Sequence, residues 1–232
     1  GPREVLAWAG TGKGLVSLTV VAALAFSQFS WAPALISAAP TNNGAKGQDV
    51  NVQGLITSGT SIGPADAPIR IEEFTDYQCP YCSKAHQVMM QLLLQFPDKI
   101  RITHRDYPLD NACNPQIKRV FHPQSCNAAI YARCASRQGK FWPFDKLLFN
   151  NGKMLSELVL EQLAGQVGLD MKALRACVKN PIVRQVVIDD LLEGNRRGVQ
   201  GTPAFFVNGE KIVGARPQEF WVEKINALLK EK

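Results

Sequence analysis

Two cysteines separated by two residues are the side chains best suited to chemistry in this sequence. Cys79 and Cys82 lie between residues 69–74, whose apolar positions alternate as in a β-strand, and a segment whose apolar residues recur every three or four positions, as in an α-helix. A thiol at the start of a helix is acidic, because free backbone N–H groups and the helix dipole favour the thiolate. The spacing therefore predicts a disulfide that opens and closes with little backbone movement.

The residues between the cysteines are predicted to set the redox balance of the pair. Pro80 fits the first helical turn, because no backbone donor is needed there and its φ angle is already helical. Pro80 and Tyr81 together determine which groups contact the Cys79 sulfur, and a more stabilised thiolate makes a stronger oxidant. We therefore assign Pro80 and Tyr81 to the substrate-binding part of the site.

A zinc site is an alternative use of a Cys-x-x-Cys pair. Structural zinc needs four ligands, and hence a second pair of cysteines or histidines. The other cysteines stand singly, and His86, His104 and His122 lack the spacing of a zinc finger. The sequence therefore predicts no metal site and no cofactor. We interpret His86, one helical turn after Cys82, as a surface histidine.

A second motif follows the cysteine pair after about 120 residues. It consists of Thr202 and Pro203, an apolar strand-like segment, the turn residues Asn208 and Gly209, and a second short strand-like segment. The combination of a Cys-x-x-Cys pair with this motif resembles the thioredoxin superfamily, in which the proline is cis and packs beside the active cysteines.

The helical segment between the two motifs narrows the resemblance. It contains Gln-Gly-Lys-Phe-Trp at residues 138–142, and the chain is similar to DsbA-like thiol–disulfide oxidoreductases from about residue 69 to residue 229. The implied architecture is of the α/β class, a thioredoxin fold with an inserted helical subdomain at about residues 110–195. The predicted DsbA-like domain covers residues 67–232.

The resemblance implies a role for each residue of the site. Cys79, expected to be the more exposed thiol, would form the mixed disulfide with a client, and Cys82 would resolve it. Pro203 cannot donate a backbone hydrogen bond, and its loop would bind an extended peptide as an added strand, with Thr202 shaping access to Cys79. Glu73 matches a family position that shuttles the proton of the buried cysteine, and desolvation there would raise its pKa.

The implied function is an extracytoplasmic oxidoreductase that donates its Cys79–Cys82 disulfide to unfolded or secreted proteins. A membrane quinone-linked disulfide reductase, DsbB-like or similar to vitamin K epoxide reductase, would reoxidise it. The family's strong oxidases often carry Pro-His between the cysteines, whereas Pro80-Tyr81 is similar to glutaredoxins and some isomerases, so the direction of electron flow stays open. A reductase or isomerase, a redox-sensitive peptide-binding chaperone and a metal-delivery protein are the alternatives.

The remaining four cysteines are an even number, as expected in an oxidising compartment, and sequence alone allows three pairings. The family resemblance favours Cys134 with Cys177, which leaves Cys113 with Cys126. The chain-entropy relation gives about 3 kcal/mol of stabilisation for the shorter loop and roughly 4 kcal/mol for the longer one. Free buried thiols, and a second redox pair at Cys113 and Cys126, are the alternatives.

The N-terminal part carries the longest apolar run, residues 14–39, which contains no charge and follows Arg3 and Lys13. It is long enough to cross a bilayer, and the preceding basic residues predict a cytoplasmic N-terminus. A retained anchor and a cleaved signal peptide within residues 3–39 are both open. We interpret residues 1–2 as a protease-cleavage scar, and a fusion behind a membrane domain resembling vitamin K epoxide reductase would make the run its last span.

Residues 40–66 are predicted to be a linker, because Asn, Gly, Ser, Thr and Gln dominate. A short edge strand within residues 50–57 is the alternative for part of it. The chain has 26 Lys and Arg against 20 Asp and Glu. These basic residues are scattered and do not alternate with aromatic residues, so nucleic-acid binding is not predicted.

Overall fold

The computed structural model describes residue 55 and residues 57–231. The predicted cleavage scar, the apolar run at 14–39 and most of the predicted linker lie outside these residues. Within the described part, no helix is both long and apolar enough to span a membrane.

The described residues form a six-stranded sheet in the order β1-β2-β4-β3-β5-β6. Its strands are β1 (Thr57–Ser58), β2 (Ser61–Ile62), β3 (Ile69–Thr75), β4 (Ile100–Asp106), β5 (Ala204–Val207) and β6 (Glu210–Val213). β3 and β4 are parallel, and the other neighbouring pairs are antiparallel. The sheet therefore combines a βαβ unit with a C-terminal hairpin, which confirms a thioredoxin-type α/β fold.

Helices cover the sheet and form the insertion between β4 and β5. They are α1 (Pro80–Gln95), α2 (Ser125–Arg137), α3 (Phe141–Asn150), α4 (Glu157–Gln166), α5 (Met171–Val178), α6 (Pro181–Arg196) and α7 (Gln218–Lys230), with a 3₁₀ turn at Gly152–Met154. The inserted helices lie close to the predicted bounds. Asp170 accepts the N–H groups of Lys172 and Ala173, as expected for an N-cap of α5.

The strand β3 and the helix α1 position the cysteine pair. Ile69 and Ile71 of β3 are fully buried, and the buried residues of α1 recur every three or four positions, including Cys82, His86 and Met89. Pro80 occupies the first turn of α1, where its missing N–H costs nothing. Both elements are thus held by core packing, and the segment that joins them is held at its two ends.

The sheet begins earlier than the predicted domain boundary at residue 67. β1 and β2 form a hairpin inside the predicted linker, and β2 pairs with β4 through Ile62 and Ile102, both of which are buried. Two-residue strands are too short to show the alternation that identifies a strand in a sequence. They form here because the edge of β4 supplies the hydrogen-bond partners.

Two disulfides anchor the insertion. One joins Cys134 of α2 to Cys177 of α5, and the other joins Cys113 to Cys126 across the loop that precedes α2. These are the pairs that the family resemblance implied. The second bridge holds this loop against the start of α2.

The last helix, α7, is buried along a narrow face. Trp221 and Ile225 are fully buried, and the Trp221 ring packs edge-on against Phe205 at 4.8 Å between centroids. Phe220 is 36% exposed, and Leu228 and Leu229 are only partly buried. At the surface of the fold, α7 is covered on one side alone, so the outer residues of its apolar face stay partly in solvent.

Candidate active site

Cys79 stands at the N-terminus of α1, as the residue that caps the helix. Asp76 shapes the preceding turn, because its Oδ1 accepts the N–H groups of Gln78 at 2.7 Å and Cys79 at 3.2 Å. Cys79 and Cys82 are free thiols in this structure, with 5% and 0% of their surface exposed. The thiol expected to be outermost is therefore the less buried one, although both are largely covered.

The pKa values of the two thiols are shifted in opposite directions. Hydrogen bonding from the Cys82 side chain lowers the pKa of Cys79 to about 6, against the opposing effect of burial. Burial raises the pKa of Cys82 well above its usual value, and the neighbouring Cys79 raises it further. Near neutral pH, Cys79 is therefore a thiolate and Cys82 a thiol, which is the arrangement that disulfide exchange requires.

The loop before β5 lies against the cysteine pair. The peptide bond between Thr202 and Pro203 is cis, and the Thr202 carbonyl oxygen is 3.5 Å from the Cys79 sulfur. The Pro203 carbonyl accepts the N–H of Gly214 at 2.9 Å. The second sequence motif and the first are thus brought together by the pairing of β5 with β3.

Glu73 lies on β3 within the protein interior. Its residue is 2% exposed, and desolvation raises its pKa to about 8, with smaller effects from His104 and Asp145. Its neighbours in the sheet are His104 on β4 and Phe205 on β5. It shares its face of the strand with Thr75, two residues closer to the cysteines. The assignment of Glu73 as the proton acceptor for Cys82 stays a prediction.

Replacing Glu73 by glutamine is expected to stabilise the protein at neutral pH. The folded-state pKa of about 8 exceeds the ordinary value of 4.5 for a glutamate. The wild-type protein therefore loses stability as the pH rises from the unfolded-state pKa to the folded-state pKa. At pH 7 the difference should reach roughly 2 to 3 kcal/mol, and it should vanish near pH 4. Denaturant unfolding of both proteins across this range measures it. A difference that does not change with pH would contradict the burial of an ionisable Glu73.

A buried polar cluster lies behind the cysteine pair. Asp145 of α3 is fully buried, accepts a hydrogen bond from the Tyr77 hydroxyl at 2.9 Å, and lies 3.3 Å from Nδ1 of His104 and 3.4 Å from Nε2 of His86. The interpretation of His86 as a surface histidine is wrong, because only 6% of it is exposed and its ring stacks on Phe149 at 4.5 Å. The contact with Asp145 offsets the cost of burying the polar ring.

The two buried histidines differ in charge. Burial opposes protonation of His104, but hydrogen bonds and charges from Asp106 and Asp145 outweigh it and raise the pKa of His104 to about 9. Burial lowers the pKa of His86, with Asp145 only partly opposing the effect. A buried cation therefore lies beside Glu73. The sequence analysis missed this cluster, because its members come from β4, α1 and α3 and have no common spacing.

A groove with a volume of about 360 Å³ opens beside Cys79. Its walls are the start of α1 and the segment from the end of α3 through the 3₁₀ turn. The residues that line it are Tyr77, Gln78, Cys79, Pro80, Ser83, Lys84, Phe149, Asn150, Asn151, Gly152, Lys153 and Met154. Tyr81 is 62% exposed, on the outer surface of the same turn. Pro80 and Tyr81 are therefore both exposed at the surface, and their assignment to substrate binding stays a prediction.

Comparison with known proteins identifies the family. A family model described as thioredoxin matches residues 57–227, more than half of the chain. The chain belongs to the thioredoxin family. The match includes both the cysteine pair and the loop that contains Pro203, so the two motifs lie within one thioredoxin-family domain.

Solved structures of similar fold include DsbA-like and other thioredoxin-like proteins. A thioredoxin-like oxidoreductase from Silicibacter pomeroyi DSS-3 is 25% identical, with a TM-score of 0.61, and covers 73% of this chain and 91% of its own. The thiol–disulfide exchange protein alpha-DsbA2 from Wolbachia pipientis is 20% identical, with a TM-score of 0.63 over 72% of this chain and 86% of its own. A periplasmic thioredoxin-like protein from Salmonella enterica serovar Typhimurium is 22% identical, with a TM-score of 0.58 over 73% and 89%.

Curated relatives of the thioredoxin-family domain are much longer proteins. The chain is 31% identical over 153 residues to the Na⁺/H⁺ antiporter NhaA of Herminiimonas arsenicoxydans, which is 66% of this chain and 23% of the antiporter. It is 30% identical over 152 residues to the Na⁺/H⁺ antiporter NhaA 3 of Salinispora tropica, which is 22% of that protein. The chain thus spans less than a quarter of the length of these relatives.

Proposed function

We propose that this protein is an extracytoplasmic thiol–disulfide oxidoreductase that donates its Cys79–Cys82 disulfide to client proteins. The observation that carries the proposal is the division of the cysteine pair into an acidic Cys79, with a pKa of about 6, and a buried Cys82 that stays protonated. A thiolate that is stable in the reduced protein is a good leaving group, and this property makes a dithiol–disulfide pair oxidising. The adjacent groove and the Thr202–Pro203 loop offer the surface for a client chain.

Transfer of the disulfide takes two exchange steps. A client thiolate attacks the Cys79 sulfur of the oxidised pair, the Cys79–Cys82 bond breaks, and Cys82 leaves with the electron pair and takes up a proton. The second client thiolate then attacks the client sulfur that is bonded to Cys79, so that the client disulfide forms and Cys79 leaves as a thiolate. The client dithiol loses two electrons, which the cysteine pair gains. Glu73, buried and protonated at neutral pH, is the proposed source of the proton for Cys82.

We also propose reoxidation by a membrane quinone-linked disulfide reductase, DsbB-like or similar to vitamin K epoxide reductase. The extracytoplasmic location is supported by the two disulfides outside the cysteine pair, which persist in oxidising compartments, and by the periplasmic relative of similar fold. The apolar residues 14–39 and the similarity to a segment of proteins named as antiporters support attachment to a membrane. Ion transport is not proposed, because less than a quarter of the antiporter is matched.

A disulfide reductase or isomerase is the second candidate, favoured by Tyr81 between the cysteines. The Tyr81 ring is 62% exposed and lies 5.9 Å from the Lys84 ammonium, directed at solvent and at α1. It does not offer Cys79 the charge of a Pro-His dipeptide.

Equilibration with glutathione measures the direction of electron flow. We expect a reduction potential less negative than that of thioredoxin, about −270 mV, because the Cys79 thiolate is stabilised, and rapid oxidation of a dithiol peptide by the oxidised protein. A potential near that of thioredoxin overturns the oxidase proposal in favour of a reductase. Client protection that survives Cys79→Ser would indicate a chaperone, and stoichiometric copper or zinc on the reduced form would indicate metal delivery.

A further inference from the structure

The turn before Cys79 is built on the buried carboxylate of Asp76. Asp76 is 1% exposed, and besides the N–H groups of Gln78 and Cys79 it accepts the N–H of Leu109 at 2.6 Å. These bonds join the cysteine turn to the segment after β4. This carboxylate accepts the backbone N–H of Cys79 itself, and a like charge held next to a thiol disfavours its ionisation.

His122 is the cation that faces this carboxylate. Its Nδ1 lies 3.1 Å from Oδ2 of Asp76, and only 13% of its side chain is exposed. Phe121 stacks on its ring at 4.2 Å, and the backbone N–H of His122 is bonded to the Leu109 carbonyl at 3.2 Å. The ring is therefore held in place on two sides.

The loop that carries His122 is tied to the cysteine turn at a second point. The N–H of Gln124 donates to Oε1 of Gln78 at 2.7 Å, and the Cys113–Cys126 disulfide closes the loop at its base. The side chain of Asp110, also buried, accepts the N–H groups of Ala112 and Cys126. The loop is thus a constrained element packed on the active-site turn, although it lies more than thirty residues further along the chain.

We propose that His122 is a positioning residue that neutralises Asp76 and so lets the cysteine turn use this carboxylate without losing the Cys79 thiolate. The inference rests on the proposed function and assigns to His122 a positive charge that Tyr81 does not provide. The charged or titratable groups that act on His122 are Asp76, Asp110 and Cys79. Burial lowers the pKa of His122, but the contact with Asp76 and the charge of Cys79 raise it above its ordinary value. His122 is therefore protonated in the range where Cys79 ionises.

A double-mutant cycle tests the proposal in the full-length reduced protein. The rate of Cys79 alkylation by a small neutral reagent is followed against pH in wild type, His122→Gln, Asp76→Asn and the double variant. We expect His122→Gln to reduce the rate about fivefold at pH 6, because the uncompensated carboxylate raises the Cys79 pKa. The double variant should return to within about twofold of wild type, since both charges are gone. Lys118→Gln, an exposed cation on the same loop, is the control and should change nothing.

Two results overturn the inference. The first is a wild-type pH profile in His122→Gln, and the second is an equal shift in the single and double variants, which indicates a displaced loop rather than a lost charge. A variant that does not fold is replaced by titration of the His122 ring in the wild-type protein by NMR. Linkage requires a higher His122 pKa in the reduced than in the oxidised protein, and equal values refute the coupling. Failure of the proposed function is distinct, because it appears as wild-type protein that does not oxidise a dithiol peptide.

Discussion

We expect Cys82→Ala protein to accumulate mixed disulfides with client proteins in cells, and Cys79→Ala protein to accumulate none and to lose disulfide exchange by on the order of a thousandfold or more. Cys79 is the thiolate of the pair and lines the groove at the start of α1, while Cys82 is fully buried and protonated. Removing Cys82 therefore leaves a nucleophile that binds a client covalently but cannot release it. Removing Cys79 leaves a thiol that a client sulfur does not reach.

Non-reducing electrophoresis and mass spectrometry of the trapped species measure both effects. The control is the protein without either cysteine of the pair, which keeps the Cys113–Cys126 and Cys134–Cys177 bridges. Exchange that persists in this control would assign redox activity to Cys113 and Cys126. Trapping through Cys82 in the Cys79→Ala protein would reverse the roles of the two thiols. The trapped proteins themselves distinguish secreted clients from a membrane donor.

Arg133→Met is expected to lower the free energy of unfolding by about 3 to 5 kcal/mol, because it removes the cation that two buried carboxylates share. Arg133 of α2 is 12% exposed, and its guanidinium lies 2.5 Å from Asp106 and also contacts Asp190 of α6. Asp190 further accepts a hydrogen bond from Arg105 at 3.0 Å and from the N–H of Asp106 at 3.1 Å. This network joins the inserted helices to β4, so its loss separates the insertion from the sheet.

The loss of stability in Arg133→Met is expected to depend on pH. In the wild-type protein burial raises the pKa of Asp106, but Arg133 and His104 outweigh this effect and the pKa is lowered overall. The ionised Asp106 therefore stabilises the fold above the pKa of an unfolded aspartate, and this stabilisation is lost as the pH falls through the folded-state pKa. The deficit of Arg133→Met should therefore be largest near neutral pH and shrink as pH falls and the carboxylates protonate. Arg137→Met, on the exposed side of the same helix, is the matched control and should stay within about 0.5 kcal/mol of wild type. A deficit that does not change with pH would contradict charge burial as its cause.

Local features of the chain were readable from residue types and spacing. The strand before Cys79, the helix after it and the helices of the insertion appear near their predicted positions, because each has enough residues to show its period. The hairpin of β1 and β2 did not, because its strands are two residues long and depend on pairing with β4. Which residues of α7 are buried likewise depends on the neighbouring elements that cover this helix.

The residue types and their spacing by themselves predict thiol–disulfide chemistry. A Cys-x-x-Cys pair at the start of a helix and a Thr-Pro before a hairpin are local patterns, so they can be read without knowing which remote segments pack together. Four features were decided only by the tertiary structure. They are the acidity of Cys79, the neutral carboxyl of Glu73, the burial of His86 and the contact of His122 with Asp76. Each depends on the dielectric environment and on charges contributed by β4, α3 or the 110–124 loop, and such distances are created when remote segments pack together.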